Sequence, residues 1–181
     1  MIAENTWKTL KLWFHKLGSA PTFYHFARTV SPWLWFGFAL STIYGLYLAL
    51  YVVPPDYQQG DSARILYIHV PTAWQAMFIY GVMTIFAVIA LIWRIRLTEI
   101  LAMSCAPIGA ALTLVCLATG SLWGKPMWGT WWEWDARLTS MLILLFIYIG
   151  IMGLYAAFDD RRKGARIASV LVIAGAVNLP I

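Results

Sequence analysis

Charge is what this sequence has least of. Only 12% of its 181 residues are Asp, Glu, Lys or Arg, against about a quarter in an ordinary soluble domain, and 61% are hydrophobic. So few charges cannot cover a water-exposed surface, which excludes a soluble globule. Cysteine is almost as scarce: Cys105 and Cys116 both fall in one apolar run. On a helix they stand about 16 Å apart, beyond the ~7 Å limit between Cα atoms for a disulfide. There is no C-x-x-C pair to chelate a metal through thiolates. Both cysteines read as small apolar fillers of a helix interface. A Walker A run is also missing, so ATP use by this chain has no support.

The apolar runs define the fold class. Spanning a bilayer takes roughly 20 apolar residues per helix, and runs 32–53, 70–93, 100–123 and 138–158 meet that need without a charge. A fifth run, 167–181, gives only about 22 Å at ~1.5 Å per residue, against the ~30 Å required. It reads as a helix cut short, with more chain expected past Ile181. The expectation is an all-α integral membrane protein, a multi-helix transmembrane bundle forming one domain over 1–181. The first span is too long for a cleavable signal peptide and reads as an uncleaved anchor. Before it, Trp7, Leu10, Trp13, Phe14 and Leu17 recur at helical spacing opposite Lys8, Lys11 and Lys16. That pattern fits a helix lying in the membrane interface, and it also fits a plain charged tail.

The sequence is basic, with a pI near 9.4. Its cations sit in short patches between apolar spans, without the clustered basic face that nucleic acid requires. They report topology instead. Lys8, Lys11, Lys16, Arg28, Arg94, Arg96, Arg161, Arg162, Lys163 and Arg166 fall on one side, against Arg64, Lys125 and Arg137 on the other. By the positive-inside rule the N-terminus is cytoplasmic, and segments 54–69 and 124–137 face outward.

The second outward segment holds WGTWWEWDARLT, residues 128–139, with four tryptophans in seven positions. An aromatic belt at the membrane interface is one explanation. However, Trp123, Trp128, Trp131, Trp132 and Trp134 crowd a single loop, whereas a belt spreads over both interfaces. Trp128, Trp131, Trp132 and Asp135 share one face if the segment is helical. Gly124, Pro126 and Gly129 supply turn chemistry to lay it along the surface. The alternative to a belt is a flat indole platform for a large planar ligand, such as haem, a quinone or a lipid.

His69 lies on the same outward side, directly before the second span, with Pro71 suited to the first turn of that helix. The positive end of the helix dipole favours neutral imidazole, a standard axial ligand of haem iron. A lone interfacial histidine also serves as a simple polar anchor. His15 and His25 precede the first span and are poor partners for it. Arg64 and Arg137 can grip carboxylates at a ligand's edge. Asp135 can neutralise Arg137 or cap the helix opening near Leu138.

Together these stretches are specific. WGKPM followed by WGTWWEWDARLT resembles the W-G-x-x-W-x-W-D signature of membrane proteins that handle haem in cytochrome c maturation. With HVPTAW and DDRR, the chain resembles the haem exporter protein C family from about the first span to NLPI at its end. The resemblance implies six helices with both termini cytoplasmic, of which about five are represented here. It implies haem b held at the periplasmic face of the bacterial inner membrane, between two histidines and the tryptophan segment. Transfer to the periplasmic haem chaperone E follows, beside an ABC transporter of A and B subunits and a small membrane protein D. His69 matches the first axial histidine; Trp128, Trp132, Trp134 and Asp135 match the signature, with Trp123 and Trp131 as neighbours. The second histidine is expected just beyond Ile181.

The resulting expectation is a haem-binding transfer factor without catalytic residues. Two other classes compete with it. A b-type cytochrome or quinone-reactive anchor subunit places paired histidines inside its helices, and no histidine interrupts the interior of any span here. A purely structural anchor needs no haem.

Overall fold

The computed structural model describes residues 19–179. The amphipathic stretch around Trp7 to Leu17, with His15, lies outside the described residues, as does the end of NLPI. Every regular element among the described residues is helical, and four helices are long and apolar enough to cross a membrane. The chain is an all-α, multi-pass membrane protein.

Two compact units are present, Met1–Val52 and Val53–Ile181. In the first, α1 runs Ala20–Tyr47 and continues through a π-helical turn, Leu48–Val52. It starts well before the apolar run at 32. Ser19 caps it, accepting from the Thr22 N–H at 3.4 Å, and a proline follows in the first turn, where its missing N–H is harmless. The hydroxyls of Thr29 and Ser41 donate back to the carbonyls of His25 and Phe38. Such self-satisfaction is what lipid-facing polar groups require.

The second unit packs α2 (Leu66–Trp93), α3 (Arg96–Trp128), α4 (Ala136–Ala156) and α5 (Arg161–Gly175). A 3-10 turn, Asp61–Ile65, leads into α2, and another, Ala176–Asn178, follows α5. The hairpin of α2 and α3 is the main pairing, and α4 and α5 close it. Arg94 makes the tight reversal in a left-handed conformation, φ 54°, with its N–H donating to the Ala90 carbonyl. At ~1.5 Å per residue the 33-residue α3 is about 50 Å long, well beyond a ~30 Å hydrocarbon layer.

Small residues let the helices approach closely, as expected where lipid gives no hydrophobic drive to associate. Ala87, Ala102, Ala106, Ala165 and Ala168 are all buried in one core with Met83, Leu144, Ile151 and Val172. Two buried tyrosines lock it. Tyr148 donates to the Ala76 carbonyl at 2.9 Å, Tyr80 donates to the Val172 carbonyl at 2.8 Å, and their rings meet edge to face at 5.2 Å. Gly109 makes room for the Tyr148 ring and Gly175 for the Tyr80 hydroxyl; a Cβ at either would overlap them.

The reversal between α2 and α3 marks one end of this unit. There Glu99, 3% exposed at its side chain, takes Arg166 at 3.1 Å and Arg162 at 3.5 Å. A carboxylate this buried needs such partners, since an unpaired buried charge is expensive. Asp160, from DDRR, caps α5 through the N–H groups of Arg162 and Lys163.

Candidate functional site

The other end carries His69. It sits inside the first turn of α2, whereas the sequence suggested a position just ahead of it, and Pro71 falls within the helix. The 3-10 turn at Asp61–Ile65 runs straight into α2 and starts the coil early. A proline inside a helix displaces a backbone hydrogen bond. Close by, the Thr72 hydroxyl donates to the carbonyls of Ile68 and His69, both at 2.9 Å.

The imidazole points across the hairpin to α3. Its Nδ1 lies 3.0 Å from the Cys116 carbonyl oxygen and 3.2 Å from Oγ1 of Thr119. The Cys116 thiol is also near, 3.8 Å from Nδ1. Gly120 allows the approach: a Cβ there would stand 3.0 Å from the ring's Cε1.

A cavity of about 290 Å³ opens beside this ring. α2 contributes His69, Ala73 and Met77, a stripe at helical spacing. α3 contributes Cys116, Leu117, Gly120, Trp123 and Trp128, and the start of α4 contributes Arg137, Leu138, Ser140 and Met141, with Asp135 at its cap. Its size is at the lower end of the roughly 300–1,000 Å³ typical of ligand sites.

The tryptophans do not form a single flat platform. Trp123 and Trp128 meet edge to face at 5.2 Å and 84°, and Trp132 and Trp134 do the same at 5.5 Å and 75°. The ring quadrupole favours such crossings over coplanar arrangement. Nor does the segment form one helical face. α3 carries through Pro126 to Trp128 and stops at Gly129, whose φ of 78° suits glycine and whose N–H closes on the Lys125 carbonyl. Residues 130–135 are then irregular. Hence Trp123 and Trp128, on α3, wall the cavity, whereas Trp131, Trp132 and Trp134 do not line it. Trp131 lies under Lys125, 5.9 Å from its ammonium to the ring centre. The indole N–H of Trp132 is buried with no hydrogen-bond partner among the described residues.

Asp135 performs both of the roles open to it. Its Oδ1 accepts from the Leu138 N–H at 2.8 Å, capping α4, and its Oδ2 pairs with Arg137 at 3.0 Å. The Leu138 N–H, with help from Arg137, holds its carboxyl below the usual carboxylate range. Arg137 is 80% exposed at the cavity mouth. Arg64 is not brought to this cavity: it pairs with Asp61 at 2.9 Å and lines a separate hollow with Pro54, Pro55 and Tyr67.

Sequence reading missed four contributors. Gln59 accepts from the Trp123 indole N–H at 3.0 Å. Thr119, Gly120 and the Cys116 carbonyl hold His69. A signal was available, since Cys116, Gly120 and Trp123 fall on one face of α3, but nothing in sequence says which face meets His69.

A family model described as "Heme exporter protein C" matches residues 13–181. The heme exporter protein C of Escherichia coli strain K12 is 48% identical over 175 residues, covering 97% of this chain and 70% of that relative. The protein of the same name from Bradyrhizobium diazoefficiens is 50% identical over 168 residues, covering 91% of this chain and 62% of that relative. A putative cytochrome c biosynthesis ccmC-like mitochondrial protein of Marchantia polymorpha is 42% identical over 158 residues, covering 87% and 65%.

Proposed function

Because the chain belongs to the heme exporter protein C family, we propose that it holds haem b at the periplasmic face of the bacterial inner membrane and passes it to the haem chaperone E. The step belongs to cytochrome c maturation. The observation that carries this reading is the meeting of His69 with Trp123 and Trp128 in the wall of one cavity. The residues present suit the group. Imidazole is a nitrogen ligand, the indoles give a broad apolar wall, and Arg137 at the mouth complements carboxylates.

His69 would hold the group through its imidazole nitrogen, and haem, when bound, would supply the iron. The chain does the rest: His69 anchors, Trp123 and Trp128 exclude water from one side, and Arg137 offsets negative charge. The protein acts as a transfer factor, not an enzyme, and any ATP hydrolysis belongs to the A and B subunits of a partner transporter, with D alongside. The excess of Lys and Arg on the opposite side supports the outward placement of the site.

Purified protein tests this reading. The haem absorbance band disappears in His69→Ala and survives in His25→Ala. Equal haem in both variants contradicts the reading and favours a cytochrome-like subunit with ligands elsewhere.

A further inference from the structure

The contacts of the His69 ring carry an inference that rests on its reading as a haem ligand. We propose that Thr119 is a positioning residue which, with the Cys116 carbonyl, fixes the His69 proton on Nδ1 and keeps the Nε2 lone pair available to iron.

Nδ1 has two oxygen atoms within hydrogen-bonding distance, the Cys116 carbonyl at 3.0 Å and Oγ1 of Thr119 at 3.2 Å. A carbonyl oxygen only accepts, and its two lone pairs let it serve its helix and the ring together. The Thr119 hydroxyl has an acceptor of its own for its single proton, the Val115 carbonyl at 2.7 Å. Its oxygen is thereby left to accept from the ring. Two acceptors facing one nitrogen define that nitrogen as the donor. Neutral imidazole carries one donor and one acceptor, so the lone pair resides on Nε2. The opposite tautomer would set a lone pair against the Cys116 carbonyl and force Thr119 to abandon its helix acceptor.

Gly120 completes the clamp. A Cβ on it would lie 3.0 Å from Cε1 and 3.5 Å from Nδ1, so a side chain there makes the ring give way in its seat against these two oxygens. Proton-holding partners of this kind orient metal-bound histidines and raise their basicity. Losing one typically costs about 10–100-fold in metal affinity.

The test uses the full purified chain in lipid nanodiscs, with haem affinity and haem reduction potential as readouts. Thr119→Val preserves shape and removes the hydroxyl. Affinity falls about 10-fold, the low end of that range because the Cys116 carbonyl remains. The potential rises, since a less electron-rich imidazole stabilises ferric iron less. Thr119→Ser restores both, and Gly120→Ala weakens binding with Thr119 intact. If His69→Ala loses haem while Thr119→Val matches wild type in affinity and potential, the positioning role is wrong and ligation stands. If His69→Ala keeps wild-type haem, the ligation reading itself fails. Should Thr119→Val not fold, unchanged affinity in Gly120→Ala overturns the proposal.

Discussion

The indole N–H of Trp123 donates to Oε1 of Gln59 at 3.0 Å, joining the loop ahead of α2 to the last turns of α3 across 64 residues of chain. The bond fixes the rotation of a tryptophan that walls the His69 cavity. Gln59→Leu removes the acceptor and strands a half-buried N–H. The expected cost is about 1 kcal/mol of stability, read as a lower Tm, with faster proteolysis of the loop ahead of α2. An unchanged Tm and unchanged cleavage would show that the bond organises nothing.

The two tryptophan pairs should behave differently. Trp128 lines the cavity, while Trp134 is 76% exposed and stands outside its wall. Trp128→Ala is therefore expected to weaken haem retention more than Trp134→Ala, measured as haem lost to an excess of apomyoglobin over time. The reverse order would shift the binding surface from the end of α3 to the loop.

Asp135 gives a pH dependence whose sign follows from its lowered carboxyl. Its folded value lies below the unfolded one, about 3.9. Its contribution is thus fully present above that unfolded value and lost as pH falls through the folded one. Asp135→Asn keeps a capping side chain and loses the charge, so the Tm gap between wild type and this variant narrows from pH 7 toward pH 3. Asp135→Ala also loses the cap, for about 1 kcal/mol more. A gap that widens on acidification would contradict the assignment.

In the core, Gly109 faces the Tyr148 ring so closely that a Cβ would overlap it. Gly109→Ala should destabilise by at least about 1–3 kcal/mol through overpacking. Combining it with Tyr148→Ala relieves the clash, so the double variant loses less than the sum of the two single changes in SDS unfolding. Simple additivity would mean that the helices yield.

Much of this was legible in the sequence because membrane spans are written in length and apolarity. Runs 70–93, 100–123 and 138–158 lie within α2, α3 and, except for its last residues, α4. The failures lie at the ends, where local chemistry competes. Gly124, Pro126 and Gly129 read as turn chemistry, yet α3 continues through the first two to Trp128, because a proline loses only one helical bond and Gly129 alone supplies the terminating conformation. That extension places Trp128 on the same helix as Trp123 and leaves Trp131, Trp132 and Trp134 in a loop, which composition cannot distinguish. His69 was found from its isolation on the tryptophan side. Thr119, Gly120 and Gln59 were invisible because their roles exist only in the pairing of α2 with α3 and of the preceding loop with α3. Cys116 acts through its backbone, which no side-chain reading detects.

Direct ligation of haem iron by His69 is most sharply tested by chemical rescue. His69→Gly in the purified full chain removes the imidazole and leaves space for a free one. The account predicts that this variant loses the wild-type haem spectrum and regains it on adding imidazole, saturably, while His25→Gly needs no rescue. A wild-type spectrum in His69→Gly without imidazole would contradict it.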